Sequence, residues 1–421
     1  MSMLSKTVLA ALAALFIHGS SALPTNQAAP VTMIKRQAGG SLEIDLVNNF
    51  DQPINAYLSG TDENSNKFGM LGTDGQWYYP QAAPKSSMNP IDAANITIPL
   101  NGPGEGPKRI TVPSYVTGGR LWFAAGDLHF FTNVGDTGVV APVMPSAANP
   151  ADPSYNTLWG FSEFTNTAAG GLYVNPSQVD FVGLPVGISV ASPTGGPDVS
   201  TPGLKKNAVG AICDAMKLQT QADGWPWQWM CRYSPEGNLL RVVSPGLYRG
   251  SAYDPKAFDG DYDWYVKDVW EKYTASPLTL INNNTASGHS ICQVQGEVLA
   301  CSEDETPYAK PSIQDIWGCD SGPFANAGSK IHQANVATLC AAFHRSTLLL
   351  PGGETQPGLG VEAFYTDNTT DWYSKAVHAN SADGRGYSFA YDDVKLTDGT
   401  GEDGTIAMKP PGLVTITVGG V

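Results

Sequence analysis

Residues 158–190 read LWGFSEFTNTAAGGLYVNPSQVDFVGLPVGISV, and this stretch decides how the rest of the chain is arranged. Trp159, Phe161, Glu163 and Thr165 alternate with Gly160, Ser162 and Phe164. A period of two is the pattern of a strand, with successive side chains on opposite faces. Asn166 to Gly171 is turn chemistry. Val179 to Val190 is β-branched, broken by Gly and Pro, and again reads as extended. Two acids, Glu163 and Asp180, stand in this otherwise apolar stretch. A carboxylate on an aromatic strand face costs desolvation energy unless it is solvated, paired or used. Two acids projected into one cleft from neighbouring strands is what sugar hydrolysis needs: one protonated acid, and one ionised base or nucleophile.

Upstream, Leu42 to Val47, Ile54 to Leu58, Ile96 to Leu100, Lys108 to Val112 and Arg120 to Phe123 also alternate as strands. With one inner and one outer face each, they close into a sandwich or barrel. Downstream, Ser192 to Gly203 (SPTGGPDVSTPG) has the composition of a linker. The period then changes. Val209, Ile212, Cys213 and Met216 predict a helix over Leu204 to Gln219. Val266 to Tyr273, Val336 to Thr347 and Thr370 to Asn380 predict three more. Tyr387 to Asp393 (YSFAYDD) is aromatic and ends in paired aspartates, and Val414 to Val418 reads as a last strand.

The chain of 421 residues holds 46 Gly and 31 Pro and only 15% charged residues, which suits many short strands joined by turns. Its formal charge of −15 argues against nucleic acid and anionic membranes as partners. Lys6, the apolar run Thr7 to Ile17, and the small residues Ser20 and Ala22 make residues 1–22 read as a secretory signal peptide. Residues 23–36 end in Lys35-Arg36 and read as a pro-segment cut by a kexin-like protease, exposing Gln37. All six cysteines (Cys213, Cys231, Cys292, Cys301, Cys319 and Cys340) lie in one half of the chain. On a secretory route they are expected to form disulfides, with 15 possible connectivities. Cys292–Cys301 is the readiest pair, because SICQVQGEVLACSE reads as a hairpin. Neither cysteines nor histidines show zinc spacing, so no metal or cofactor is expected. Asn95, Asn283 and Asn368 stand in N-x-S/T sequons.

The pattern W-x-F-x-E-F-T, then L-Y-x-N-x-S-x-V-D-F-V-G-L-P, resembles glycoside hydrolase family 64, endo-β-1,3-glucanases related to the thaumatin-like fold. GGRLWFAAGD at 118–127 and YSFAYDD at 387–393 resemble the thaumatin-like cleft strand and closing motif, and the second resemblance implies an aromatic strand followed by paired aspartates. The resemblance implies a mainly β protein with an α/β part. A thaumatin-like sandwich or barrel would comprise residues 37–196 and 386–421, and a disulfide-containing α/β domain residues 197–385, with the groove between them. It implies Glu163 as general acid, Asp180 as general base, an inverting mechanism, and Thr165 as a hydrogen-bonding partner of the sugar. One of Asp392 and Asp393 would contact sugar and the other would be structural; Thr167 stands where relatives carry Asn. Trp159 and Tyr173 flank the acids and are the expected stacking surfaces, and Asp127 is a candidate for the cleft wall. Trp225-Pro226-Trp227-Gln228-Trp229 also offers stacking rings, though its place beside Cys231 favours a core role. The Asp320-Ser321-Gly322 tripeptide lacks the His and Asp that a serine nucleophile needs.

Glu163, among Trp159, Phe161 and Phe164, is expected to stay protonated through desolvation, and Asp180, nearer the mouth, to stay ionised. Two functions follow. One is a secreted monomeric hydrolase of internal β-1,3-glucosidic bonds, releasing short laminari-oligosaccharides. The other is a non-catalytic thaumatin-like binder of β-glucan. The Glu163/Asp180 pair favours the first.

Overall fold

The computed structural model describes residues 40–81, 88–134, 140–250 and 253–421. The expected signal peptide and pro-segment lie outside these residues. Two sheets stack on each other. In the first, strands run in the order Val199–Thr201, Val186–Val190, Val414–Val418, Leu42–Asn48 and Lys108–Val112. Leu42–Asn48 lies parallel to Val414–Val418, so the first and last strands of the described chain are hydrogen-bonded neighbours. In the second, the order is Ile406–Met408, Gly171–Pro176, Leu158–Thr167, Val116–Ala125, Asn55–Asp62, Lys67–Leu71 and Trp77–Tyr78, with Ile98–Pro99 also pairing Asn55–Asp62.

Alternation explains the layers. Phe164, Leu121, Phe123, Leu58 and Val174 point to the side where they meet Leu42, Ile44, Ile188 and Ile416 of the first sheet. Trp159, Phe161, Trp122 and Tyr57 point the other way, into a second core shared with the helices. Burying one such aromatic side chain is worth about 1.5–3 kcal/mol, so the second face is held as firmly as the first.

The four longest helices among the described residues occupy Ala208–Asp223, Asp263–Ala275, Lys330–His344 and Trp372–Asn380, close to the expected four. The last two begin with side-chain caps, Ser329 to the His332 N–H and Asp371 to the Ser374 N–H. Three disulfides, Cys213–Cys231, Cys292–Cys301 and Cys319–Cys340, tie this part together. Cys292 and Cys301 are cross-strand partners in the expected hairpin.

Two readings need correction. Tyr387–Asp393 is not a strand but a run of turns, because its backbone serves local bonds: Asp392 N to Phe389 O, and Val394 N to Tyr391 O. The Ser192–Gly203 linker contains the edge strand Val199–Thr201, paired with Ile188–Val190. Its Val-Ser-Thr core is good strand sequence hidden among Gly and Pro.

Candidate active site

The strand Leu158–Thr167 carries Glu163 between two registered neighbours, Arg120 on one side and Asn175 on the other. The hairpin partner then leaves the edge. Ser177 N still bonds Phe161 O, and Leu184 N bonds Trp159 O, but residues 178–183 swing out between them. Gly160 and Gly183 permit this return: a Cβ on either would collide with the carbonyl oxygen of Leu184 or Trp159. The excursion is pinned by Phe181–Val182 pairing with Val242–Val243, and by Ser244 N donating to Asp180 O at 2.8 Å. Asp180 therefore sits on the outward bend, beside the same strand that carries Glu163.

Arg120 links the two acids. Its Nε and Nη2 lie 3.0 and 2.9 Å from Glu163 Oε1. The guanidinium is braced over Phe161 at 5.1 Å and Trp122 at 5.6 Å. Asp180 is half-buried. Burial pushes the Asp180 carboxyl above the usual carboxylate range; the Arg120 charge opposes this and the Glu163 charge adds to it. The Asp180 carboxyl makes no side-chain hydrogen bond among the described residues. Desolvation therefore acts on Asp180, which was expected to stay ionised, while Glu163 holds an ion pair with Arg120. Phe164, counted among the surroundings of Glu163, faces the other sheet.

Other expected site residues divide. Thr165 and Tyr173 are cross-strand partners, two positions along the face that carries Glu163, and both stay partly exposed. Thr167 takes a turn role, accepting from Gly170 N at 2.9 Å. Trp159 is on the expected face but only 2% exposed, packed against Phe181 at 4.5 Å and Trp122 at 5.6 Å. It cannot stack on a sugar. Asp127 lies beyond the end of Val116–Ala125, seven residues from Arg120, a span of up to about 23 Å at ~3.3 Å per residue. There it accepts from Asn55 Nδ2 at 3.1 Å, away from the acids.

Asp392 is fully buried and structural. Burial alone would raise it, but His378 at 3.0 Å, Arg345 at 3.3 Å and the Ser388 N–H at 2.9 Å outweigh that and hold its carboxyl at about 2. In return, Asp392 and Glu402 overcome the desolvation of His378 and lift it to about 9. Asp393 keeps an open side, and burial, then Asp403 and Asp392, push its carboxyl up to about 6. Its partner Tyr387 feels the charge of Glu163, which places this corner near the acids. Tyr387 also fastens the excursion, its N–H donating to Gln178 Oε1 at 2.8 Å, while the Gln178 N–H bonds Tyr387 O at 2.8 Å.

Sequence reasoning overlooked Arg120 and Tyr387 as site residues, although both lie inside quoted motifs. Arg120 shares a strand face with Trp122, two positions on, which was the available signal.

Glu163 paired to Arg120, with the Asp180 carboxyl within reach of both charges, offers the two acids that glycoside hydrolysis uses. The sequence profile of the β-1,3-glucanase family, glycoside hydrolase family 64, matches residues 40–418, and the chain belongs to that family. It is 28% identical over 296 residues to a glucan endo-1,3-β-glucosidase of Cellulosimicrobium cellulans, and 28% over 293 residues to one of Arthrobacter sp. (strain YCWD3). Each match covers 68% of this chain and 50% of the relative, so the chain spans about half the length of the curated relatives it matches. Its fold is similar to a laminaripentaose-producing β-1,3-glucanase solved with laminaritetraose, at a TM-score of 0.77 and 26% identity, covering 90% of this chain and 99% of that one. A β-1,3-glucanase domain from Clostridium beijerinckii shares the fold at a TM-score of 0.67 and 20% identity, covering 90% and 98%.

Proposed function

We propose that this chain is a secreted, monomeric endo-β-1,3-glucanase that cleaves internal bonds of β-1,3-glucan with inversion and releases short laminari-oligosaccharides. The observation that carries the reading is the Glu163–Arg120–Asp180 cluster within a family of β-1,3-glucanases. Three disulfides are in keeping with an oxidising route. The groove would run between a thaumatin-like unit of residues 37–196 with 386–421 and an α/β unit of residues 197–385.

The Asp180 carboxyl feels both the Glu163 charge and the Arg120 charge, and Arg120 is ion-paired with Glu163. One guanidinium supports one negative charge, so the singly protonated pair is the working form. Glu163, whose side chain is 33% exposed, gives its proton to the leaving oxygen. Asp180, poor in hydrogen bonds, takes one from the attacking water. The substrate decides where the shared proton sits: a glycosidic oxygen beside Glu163 draws the proton there, and a water beside Asp180 favours its ionised form. Thr165, Tyr173 and Asp393 line the sugar path.

Inversion requires room for a water, so the carboxyls should stand roughly 6.5–9.5 Å apart in the complex, against about 5–5.5 Å for retention. Proton NMR in the first minutes of laminarin hydrolysis tests this: the α-anomer of the new reducing end appears first. A β-anomer first would make Asp180 a nucleophile or the wrong residue. Wild-type protein that binds laminarin but releases no reducing ends would be a glucan-binding protein instead.

A further inference from the structure

The Trp225–Trp229 run divides in the fold. Trp227 is fully buried, its ring 4.5 Å from Phe258 and its Nε1 donating to Asp223 at 3.0 Å. Trp229, two residues on in the same short helix Trp227–Met230, is 60% exposed. Four large aromatic side chains are exposed among the described residues: Tyr78, Trp229, Tyr233 and Trp264. Two of the four, Trp229 and Tyr233, border one concavity of about 390 Å³, with Gln228, Lys217 and Arg232 on its walls. That volume is at the small end of the range of about 300–1,000 Å³ common for small-ligand sites.

We propose that this concavity is a second sugar-binding surface, which holds glucosyl residues of β-1,3-glucan away from the acids; the choice of glucan rests on the β-1,3-glucanase reading. A pyranose ring presents an apolar C–H face edged by hydroxyls. An exposed indole beside a phenol and an amide matches that pattern, with the rings supplying rigid area and the polar groups orientation. Lys217 Nζ is paired with Asp214 at 3.1 Å; the Arg232 guanidinium lies 3.7 Å over the Tyr253 ring, with its Nε and Nη2 buried and without a hydrogen-bond partner among the described residues. With Lys217 paired and Arg232 turned onto a ring, the accessible surface is aromatic and polar, which suits a neutral, hydroxyl-rich ligand. The walls are also fixed in advance. Cys231 is tied to Cys213, and the Tyr233 hydroxyl lies 3.4 Å from Cys213 Sγ, so little ordering accompanies binding.

The surface is separate from the cleft. Tyr155, on its rim, precedes the strand that begins at Leu158, about 17 Å from Glu163 at ~3.3 Å per residue. Trp159, Phe181 and Arg241 fill the interior beside that end of the strand. A site so placed would keep the protein on an insoluble glucan while the cleft works on the chain.

The test is adsorption to insoluble curdlan at 4 °C, alongside kcat/KM on soluble laminarihexaose, for the wild type, Trp229→Ala, Trp229→Tyr and Tyr233→Ala. The exposure of both rings leaves the fold intact, which melting curves check. Trp229→Ala is expected to lose about 5–10-fold in adsorption, the effect of truncating one aromatic anchor. Trp229→Tyr should recover part of it, with laminarihexaose turnover unchanged throughout. Wild-type-like adsorption of both alanine variants overturns the proposal, as does a wild type that ignores curdlan. Parallel loss of laminarihexaose turnover overturns it too, because the ring would then belong to the cleft. A wild type that adsorbs through Trp229 but cleaves nothing would sink the hydrolase reading while leaving this surface standing.

Discussion

Arg120 and Glu163 face each other across adjacent strands, two guanidinium nitrogens within 3.0 Å of one carboxylate oxygen. The same guanidinium is the largest charge acting against the desolvation of Asp180. One cation therefore pairs with Glu163 and opposes the upward push on Asp180.

Removing that cation should move the pH profile. An opposite charge nearby lowers a carboxyl by about 1–3 pH units. In Arg120→Met the Asp180 carboxyl loses that opposing charge and rises further, so the acid limb of kcat/KM on laminarin shifts upward, and the maximal rate falls as Glu163 loses its partner. Arg120→Lys, a point charge without the fork, should shift less. An acid limb that stays in place in Arg120→Met would mean that the pair does not depend on this residue.

Asp180→Asn should separate stability from activity. The folded-state carboxyl is raised above its unfolded value, so its favourable contribution is complete below the unfolded value near 4 and is lost as pH climbs through the folded one. At neutral pH the ionised group is a burden that the amide lacks. The variant should melt at or above the wild-type temperature at pH 7, with the difference shrinking toward pH 4, while hydrolysis drops about 10²–10⁴-fold. A variant that is less stable at pH 7 would show the carboxylate to be structural.

The His378–Asp392 pair should carry stability with its own pH window. His378 is raised to about 9, so its contribution is complete below about 6.5 and is lost as pH rises through 9. Asp392 is depressed to about 2, so its contribution is present above about 4 and is lost as pH falls through 2. Breaking such a buried pair costs about 3–5 kcal/mol. Chemical denaturation of His378→Gln should show that loss at pH 6 and a smaller one at pH 10. Equal losses at both would mean that charge is not what holds the 387–394 turns against the helices.

The sequence exposed the elements more readily than their depths. Lys108–Val112 and Val414–Val418 matched because local alternation is enough to define a strand. Glu163 and Asp180 stood out because acids are conspicuous in apolar company. The partner of Glu163 could not be read, since register against Val116–Ala125 is set by distant packing and by an irregularity between Phe164 and Asn166. Trp159 was placed on the right face at the wrong depth, because alternation gives direction and not what covers it. The upward push on Asp180 could not be read for the same reason: desolvation and the Arg120 charge act through space. Asp392 and Asp393 are neighbours in sequence, yet turns send one to Arg345 and His378 and the other toward Tyr387.

The central claim is that Glu163 delivers the proton that lets the glucan bond break. The most direct measurement is the initial rate of reducing-end release from laminarin by Glu163→Gln, beside its binding of laminarihexaose by calorimetry. The amide keeps the shape of the acid but cannot donate a proton to the leaving oxygen. The account predicts a rate lower by about 10²–10⁴-fold, with laminarihexaose still bound. A variant that hydrolyses laminarin at close to the wild-type rate would contradict it.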